Sequence, residues 1–230
     1  MTGFVKKAVY TLIGLAGLIA VICAVVYTCV TKASTMADGF ERYASVRPDA
    51  LTHSYEEYVI SVVDCMTGKT DVCLVSENGE SVHAFSEKED LHMRDVAGLV
   101  QMLNTIRIAG GILVALICLA YLFIRSDREK HLSMILYGFR NAAVMVFGLA
   151  LILCIWGLIS FDSLFYSFHL LFFSNRLWLL NPNTDLLIQL MPTEFFIWYA
   201  KQILLALIPV LLCMAALPIA YRKISKEDKQ

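Results

Sequence analysis

Apolar residues in this chain are gathered into four long runs separated by mixed or polar stretches. The runs cover 8–31 (AVYTLIGLAGLIAVICAVVYTCVT), 106–124 (IRIAGGILVALICLAYLFI), 142–160 (AAVMVFGLALILCIWGLIS) and 197–221 (IWYAKQILLALIPVLLCMAALPIAY). Crossing a hydrocarbon core takes about 20 helical residues, so each run is long enough to span one. In lipid a lone span satisfies its backbone only as a helix. The pattern therefore predicts a polytopic α-helical membrane protein with four transmembrane helices. The segments between them are 32–105, a loop at 125–141, and 161–196, with a tail at 222–230.

Segment 32–105 alternates in its centre as a half-buried strand does. Tyr58, Ile60 and Val62 form one face, a turn at Thr67-Gly68-Lys69 leads to Val72 through Val75, and Asn78-Gly79, a strong hairpin signal, leads to Val82 through Phe85. This predicts a small meander of about three strands. Cys65 and Cys73 are equidistant from Lys69, which would set them opposite one another as either a disulfide or two free thiols. The other five cysteines lie in the spans as small apolar residues. Ser86-Glu87-Lys88-Glu89 has the form of a capping box, so a helix starts there, carries His92 and Asp95 on one face, and runs on into the second span. Segment 161–196 is as apolar as a span but is broken by Asn181-Pro182 and Pro192. It predicts a re-entrant or interfacial pair of short helices, the first with Phe165, His169, Phe172 and Phe173 along one stripe.

Composition confirms the solvent: 58% of the residues are hydrophobic and 17% charged, too apolar a balance for a soluble chain of 230 residues. Charge sets the orientation. Lys6 and Lys7, then Arg125, Arg128 and Lys130, then Arg222, Lys223, Lys226 and Lys229 flank the spans on one side, which the positive-inside rule makes cytoplasmic, with both termini there. Segments 32–105 and 161–196 are then extracytoplasmic. The first run exceeds the roughly 7 to 15 apolar residues of a cleavable signal, favouring an uncleaved anchor. The net charge of −1 hides thirteen Asp and Glu in 32–105, which argues against a nucleic-acid partner.

Ionisable groups among apolar residues at membrane depth cost several kcal/mol and are functional candidates: His92, Asp95, Arg107, His169, Asp185 and Glu194. A histidine with its pKa near 6.5 both accepts and donates a proton at neutral pH, and two from different segments could form one site. Arg107 could meet a lipid phosphate or ester carbonyl, or snorkel. Asp185 could cap a short helix or orient an imidazole ring. His53, His83 and His131 read as ordinary surface residues. No GxSxG, HExxH or phosphate-binding loop occurs, and no cysteine or histidine spacing suits a metal, so no metal or cofactor is expected.

Two motifs carry a resemblance. Leu91-His92-Met93-Arg94-Asp95-Val96, and Phe165-x3-His169-x2-Phe172-Phe173-x4-Trp178-x3-Pro182-x2-Asp185-x-Leu187-Ile188-x3-Pro192-x2-Phe195-Phe196, resemble the bacterial lipoprotein intramolecular transacylase family, Lit. The resemblance covers the whole chain. It implies an acyltransferase in the plasma membrane of a Gram-positive bacterium, acting at the outer leaflet on diacylglyceryl-modified lipoproteins held in membrane lipid. Such an enzyme moves the sn-2 acyl chain to the α-amino group of the same N-terminal cysteine, giving a lyso-form lipoprotein. It further implies His92 and His169 as the catalytic pair, Asp95, Arg107 and Asp185 in support, and Phe165, Phe172, Phe173 and Trp178 lining the substrate. Cys65 and Cys73 are outside the family pattern. A membrane lipid hydrolase, and a non-enzymatic sensor or transporter subunit, are the alternatives; only an enzyme requires both histidines in one cavity.

Overall fold

A computed structural model describes residues 3–123 and 128–227. The side chains of Lys6, Cys118, Arg125, Arg128, Arg222, Lys223, Lys226 and Lys229 lie outside the described set. The element order is α1 (Gly3–Val30), α2 (Ala33–Tyr43), a 3-10 turn (Pro48–Ala50), α3 (Tyr55–Thr67), β1 (Leu74–Glu77), β2 (Glu80–His83), α4 (Glu87–Phe123), α5 (Arg128–Ile159), α6 (Phe161–Phe172), α7 (Leu186–Leu190) and α8 (Thr193–Glu227). Four of these, α1, α4, α5 and α8, are long and apolar enough to cross a membrane, and over the described residues they contain the runs at 106–124 and 197–221 and all but the last residue of those at 8–31 and 142–160. Most of the expected loop at 125–141 is helical, because α5 begins at Arg128.

The chain forms two compact units. The first comprises Met1–Val25, Thr105–Ile155 and Leu204–Gln230. Its helices approach at glycines: a Cβ on Gly14 would collide with the Gly138 backbone, and one on Gly138 with the carbonyl of Tyr10. Lipid gives apolar helices no hydrophobic reason to associate, so close backbone packing of this kind holds them. Leu18, Ala142, Ala143 and Leu211 form its buried centre, whereas Leu12, Ile112, Leu116, Ile152 and Leu212 are exposed. An outer surface that apolar is stable only in lipid.

The second unit comprises Val26–Asn104 and Trp156–Ile203. Here the structure corrects the expected meander. Residues 55–67 are a helix, and the sheet has two strands rather than three. Ser54 and Glu57 form a reciprocal capping box, the same signature as Ser86 and Glu89, and it starts α3. Tyr58, Val62, Cys65 and Met66 are buried at helical spacing, while Ile60, which a strand would put beside Tyr58 and Val62, is 49% exposed. The hairpin expectation does hold: Asn78 and Gly79 both take positive φ, and β1 pairs antiparallel with β2 in the register Leu74↔His83 to Glu77↔Glu80. The core of this unit is centred on Phe40, fully buried against Tyr55 and Phe195, with Val59, Val62 and Leu190 beside it.

Gly68 ends α3 with φ +76°, and its N–H returns to the carbonyls of Asp64 and Cys65. A side chain there would be strained and would also press on the amide of Gln101. We expect Gly68→Ala to cost about 1–2 kcal/mol, read as a lower thermal midpoint in detergent; an unchanged midpoint would contradict this.

Candidate active site

His92 sits in the second turn of α4 and His169 in the last turn of α6. α4 is started by the predicted capping box, in which Ser86 N–H and Oγ–H donate to Glu89 Oε2 at 2.9 and 2.6 Å. α6 starts where Ser160 Oγ accepts from Ser163 N–H. Its stripe turns His169 inward, leaving Leu170 and Leu171 exposed on the opposite side.

Both rings are 7% exposed, and their centroids are 6.1 Å apart. Phe173 bridges them, 5.4 Å from His92 and 5.5 Å from His169. Trp178 stacks on His169 at 4.8 Å and Phe165 lies 4.3 Å away, so one imidazole is enclosed by three aromatic rings. His169 Nδ1 is 2.7 Å from the carbonyl oxygen of Phe165. A carbonyl only accepts, so Nδ1 carries the hydrogen and Nε2 has the free lone pair. Burial pushes the His169 pKa below its usual value, favouring the neutral ring.

The two histidines line one cavity of about 530 Å³. Its walls come from α3 (Val62, Met66), α4 (Val96, Val100), α6 (Phe165, Phe168), the following loop (Phe173, Trp178), α7 (Leu187, Ile188) and α8 (Phe195, Tyr199), all within the second unit. Among the described lining residues only His92, His169, Trp178 and Tyr199 carry polar side-chain atoms. Trp178 Nε1–H donates to Asn175 O, and Tyr199 O–H to Cys29 O. The two imidazoles are therefore the polar groups left to meet a ligand in an otherwise apolar chamber, and Nδ1 of His92 is buried with no hydrogen-bond partner. The lining residues that are themselves exposed, Met102, Phe168 and Phe172, mark an opening between α4 and α6.

The expected supporting residues divide. Asp95 Oδ2 accepts from Asn175 Nδ2 at 2.8 Å, which ties the loop after α6 to α4. Asp185 does not reach a histidine: it accepts from Asn181 N–H and Thr184 Oγ1–H, and from Lys88 Nζ at 3.3 Å, and the first of these bonds holds its carboxyl below the usual range. Arg107 lies on α4 within the first unit and does not line the cavity. Glu194 is exposed at the start of α8. Cys65 and Cys73 are neighbours, as expected, but Cys65 is on α3 rather than a strand, and both are buried free thiols. Their mutual hydrogen bond and burial push the Cys73 thiol up, while the same contact draws Cys65 down. Sequence reasoning missed the pairing of His83 Nδ1 with the buried Asp90, 2.5 Å apart. It also missed that Glu89 Oε1 accepts from the distant Leu187 N–H at 2.6 Å. No group of three or more His, Cys, Asp or Glu among the described residues is placed to hold a metal.

The family model for lipoprotein intramolecular transacylase Lit matches residues 7–196, most of the chain. The chain belongs to this family and is an acyltransferase of membrane-integral architecture. It is similar in fold to the membrane integral lipoprotein intramolecular transacylase Lit from Bacillus cereus, with TM-score 0.70 at 20% identity over 99% of each chain. Two further structures of the Bacillus cereus protein, in which one histidine is replaced by arginine or by alanine, match with TM-scores of 0.66 and 0.67. Each is 20% identical and covers 97% of this chain, with 93% and 95% of the other. No curated protein sequence matches.

Proposed function

We propose that the chain transfers the sn-2 acyl chain of a diacylglyceryl-modified lipoprotein to the α-amino group of the same N-terminal cysteine, using His169 and His92. The observation that carries this is the pair of buried imidazoles at 6.1 Å in one apolar cavity. Acyl chains suit the walls, and an aminolysis needs two proton transfers where the histidines stand.

In the first step the amine nitrogen attacks the ester carbonyl carbon. As the N–C bond forms, the amine proton passes to Nε2 of His169, whose Nδ1–H is already engaged with Phe165. The tetrahedral intermediate then collapses: the C–O bond breaks, and the glycerol oxygen takes up the proton that His169 received, relayed through His92, so that both rings end neutral as they began. Donor and acceptor belong to one molecule, so the cavity acts mainly by holding the headgroup folded for attack, and no acyl-enzyme is needed. The positive-inside pattern supports cytoplasmic termini and a site at the outer leaflet. Membrane lipid surrounds the substrate, and the acidic 32–105 segment offers nucleic acid nothing. Asp95 acts by holding Asn175, and Phe165, Phe172, Phe173 and Trp178 as substrate lining.

The test is mass spectrometry of a lipoprotein N-terminus in a host whose lipoproteins are otherwise only diacylated. The chain is expected to give the lyso form, and His92→Ala and His169→Ala to leave the diacyl form. Lyso product from both variants, or released free fatty acid in its place, would end the proposal.

We propose also that Cys65 and Cys73, free thiols in contact in the structure, close to a disulfide at the extracytoplasmic face. Each thiol loses its proton and one electron to a disulfide-bearing oxidant, which is reduced to two thiols. Non-reducing peptide mapping should recover the two segments cross-linked; alkylation of both cysteines in unreduced, denatured protein would show otherwise.

A further inference from the structure

Glu89 is charged, buried to 2% exposure, and absent from the chemistry above. Its Oε2 receives the two Ser86 donors that start α4, one turn before His92. Its Oε1 receives the N–H of Leu187 at 2.6 Å, from a residue 98 positions away in the cavity wall. A buried carboxylate is stable only when its lone pairs are met, and here they are met from both sides of the cavity at once. Neighbouring side chains repeat the arrangement: Lys88 Nζ donates to Leu179 O at 2.7 Å, and Asp95 accepts from Asn175. The loop so held, 173–185, leads into α7 and carries Phe173 and Trp178, the rings packed on His169. All three ties involve an ionisable side chain, and the Glu89 bond alone is fully buried, hence the least screened by water.

We propose that Glu89 is a positioning residue of the transacylase: its bond to Leu187 N–H fixes the loop that encloses His169 to the helix that carries His92. Proton transfer between an ester, an amine and two rings is steep in distance, and misplacement by about 1 Å costs up to about a hundredfold. Glu89 touches no reacting atom, so its loss acts on turnover more than on binding.

This inference rests on the transacylase reading, and the assay separates the two. In membranes with a diacylglyceryl lipopeptide, an unsubstituted chain that forms no lyso product defeats that reading. A Glu89→Gln protein with full turnover defeats only this one. Gln keeps the size but offers one carbonyl oxygen, enough for Leu187 or Ser86 but not both. Glu89→Gln is expected to lower kcat about tenfold or more with KM within about twofold. Ser86→Ala removes the hydroxyl donor but keeps the Ser86 and Leu187 N–H bonds to Glu89, so it is expected to lower the thermal midpoint and to cost far less kcat than Glu89→Gln. Equal kcat losses in the two variants would mean the cap alone matters and would overturn the proposal, as would a change confined to KM. Hydrogen exchange on the unsubstituted chain gives a reading independent of whether the variant folds: Leu187 N–H should exchange far more slowly than the exposed amides of Asn181, Asn183 and Thr184, and equal rates would overturn it too.

Discussion

Turnover of His169→Ala should fall by about 10² to 10⁴, the range removed with a general base or acid. Alanine deletes Nε2 and also the ring that stacks with Phe165 and Trp178, so some loss of stability accompanies it. His169→Asn restores part of the lost stability without restoring the base. Its amide nitrogen can replace Nδ1 as donor to the Phe165 carbonyl, while nothing replaces Nε2. It should therefore have a thermal midpoint between those of His169→Ala and the unsubstituted chain, since it keeps the hydrogen bond but not the stacked ring, and still lose as much activity as His169→Ala. His92→Ala should fall comparably, and the double variant should be little worse than the poorer single one, because two groups that share a proton relay fail as a unit. Multiplied losses in the double variant, or normal turnover of His169→Asn, would show that the rings do not act together on the proton.

The sequence made the membrane frame and the histidine pair legible for the same reason: runs of apolar residues leave little to interpret, and a polar residue inside one is conspicuous. His92 and His169 stood out as ionisable groups among apolar neighbours, and the stripe through Phe165 and His169 anticipated the aromatic enclosure. The strand misread over Tyr58–Val62 has a physical cause. Over a few residues, periods of 2 and 3.6 both bury positions 58 and 62, and only Ile60 distinguishes them. The Ser54-x-x-Glu57 cap, of the same form as Ser86-x-x-Glu89, was the local signal for a helix. Glu89 was visible as a cap, but its bond to Leu187 depends on a chain return 98 residues later, which no local pattern encodes. Asp185 misled in the opposite way: proline-flanked and acidic, it closes its own turn through Asn181 and Thr184. The spacing argument brought Cys65 and Cys73 together for the wrong reason, since a helix followed by a short loop returns the chain as surely as a hairpin does.

The rate should lose one power of ten per pH unit below the amine pKa of about 8, and two below the pKa of His169. The substrate must attack as a free amine, which gives the first limb; the base must be unprotonated, which gives the second. An exposed histidine would place the second break near 6.5. Burial among Phe165, Phe173 and Trp178 disfavours the imidazolium, so the break lies lower, and the enzyme keeps its base where a surface histidine would have lost it. A second positive ring at 6.1 Å would add repulsion, so the pair resists double protonation. Stability follows the same proton. The unfolded chain binds it more readily than the folded one, so this contribution is complete above about 6.5 and declines as pH falls toward the lower folded-state pKa. Profiles of kcat/KM from about pH 5 to 9 on the unsubstituted chain and His169→Asn check this. The first should bend twice, with the lower bend below 6.5, and the second only once. A lower bend at or above 6.5, or one that survives in His169→Asn, would mean that the base is not the buried ring.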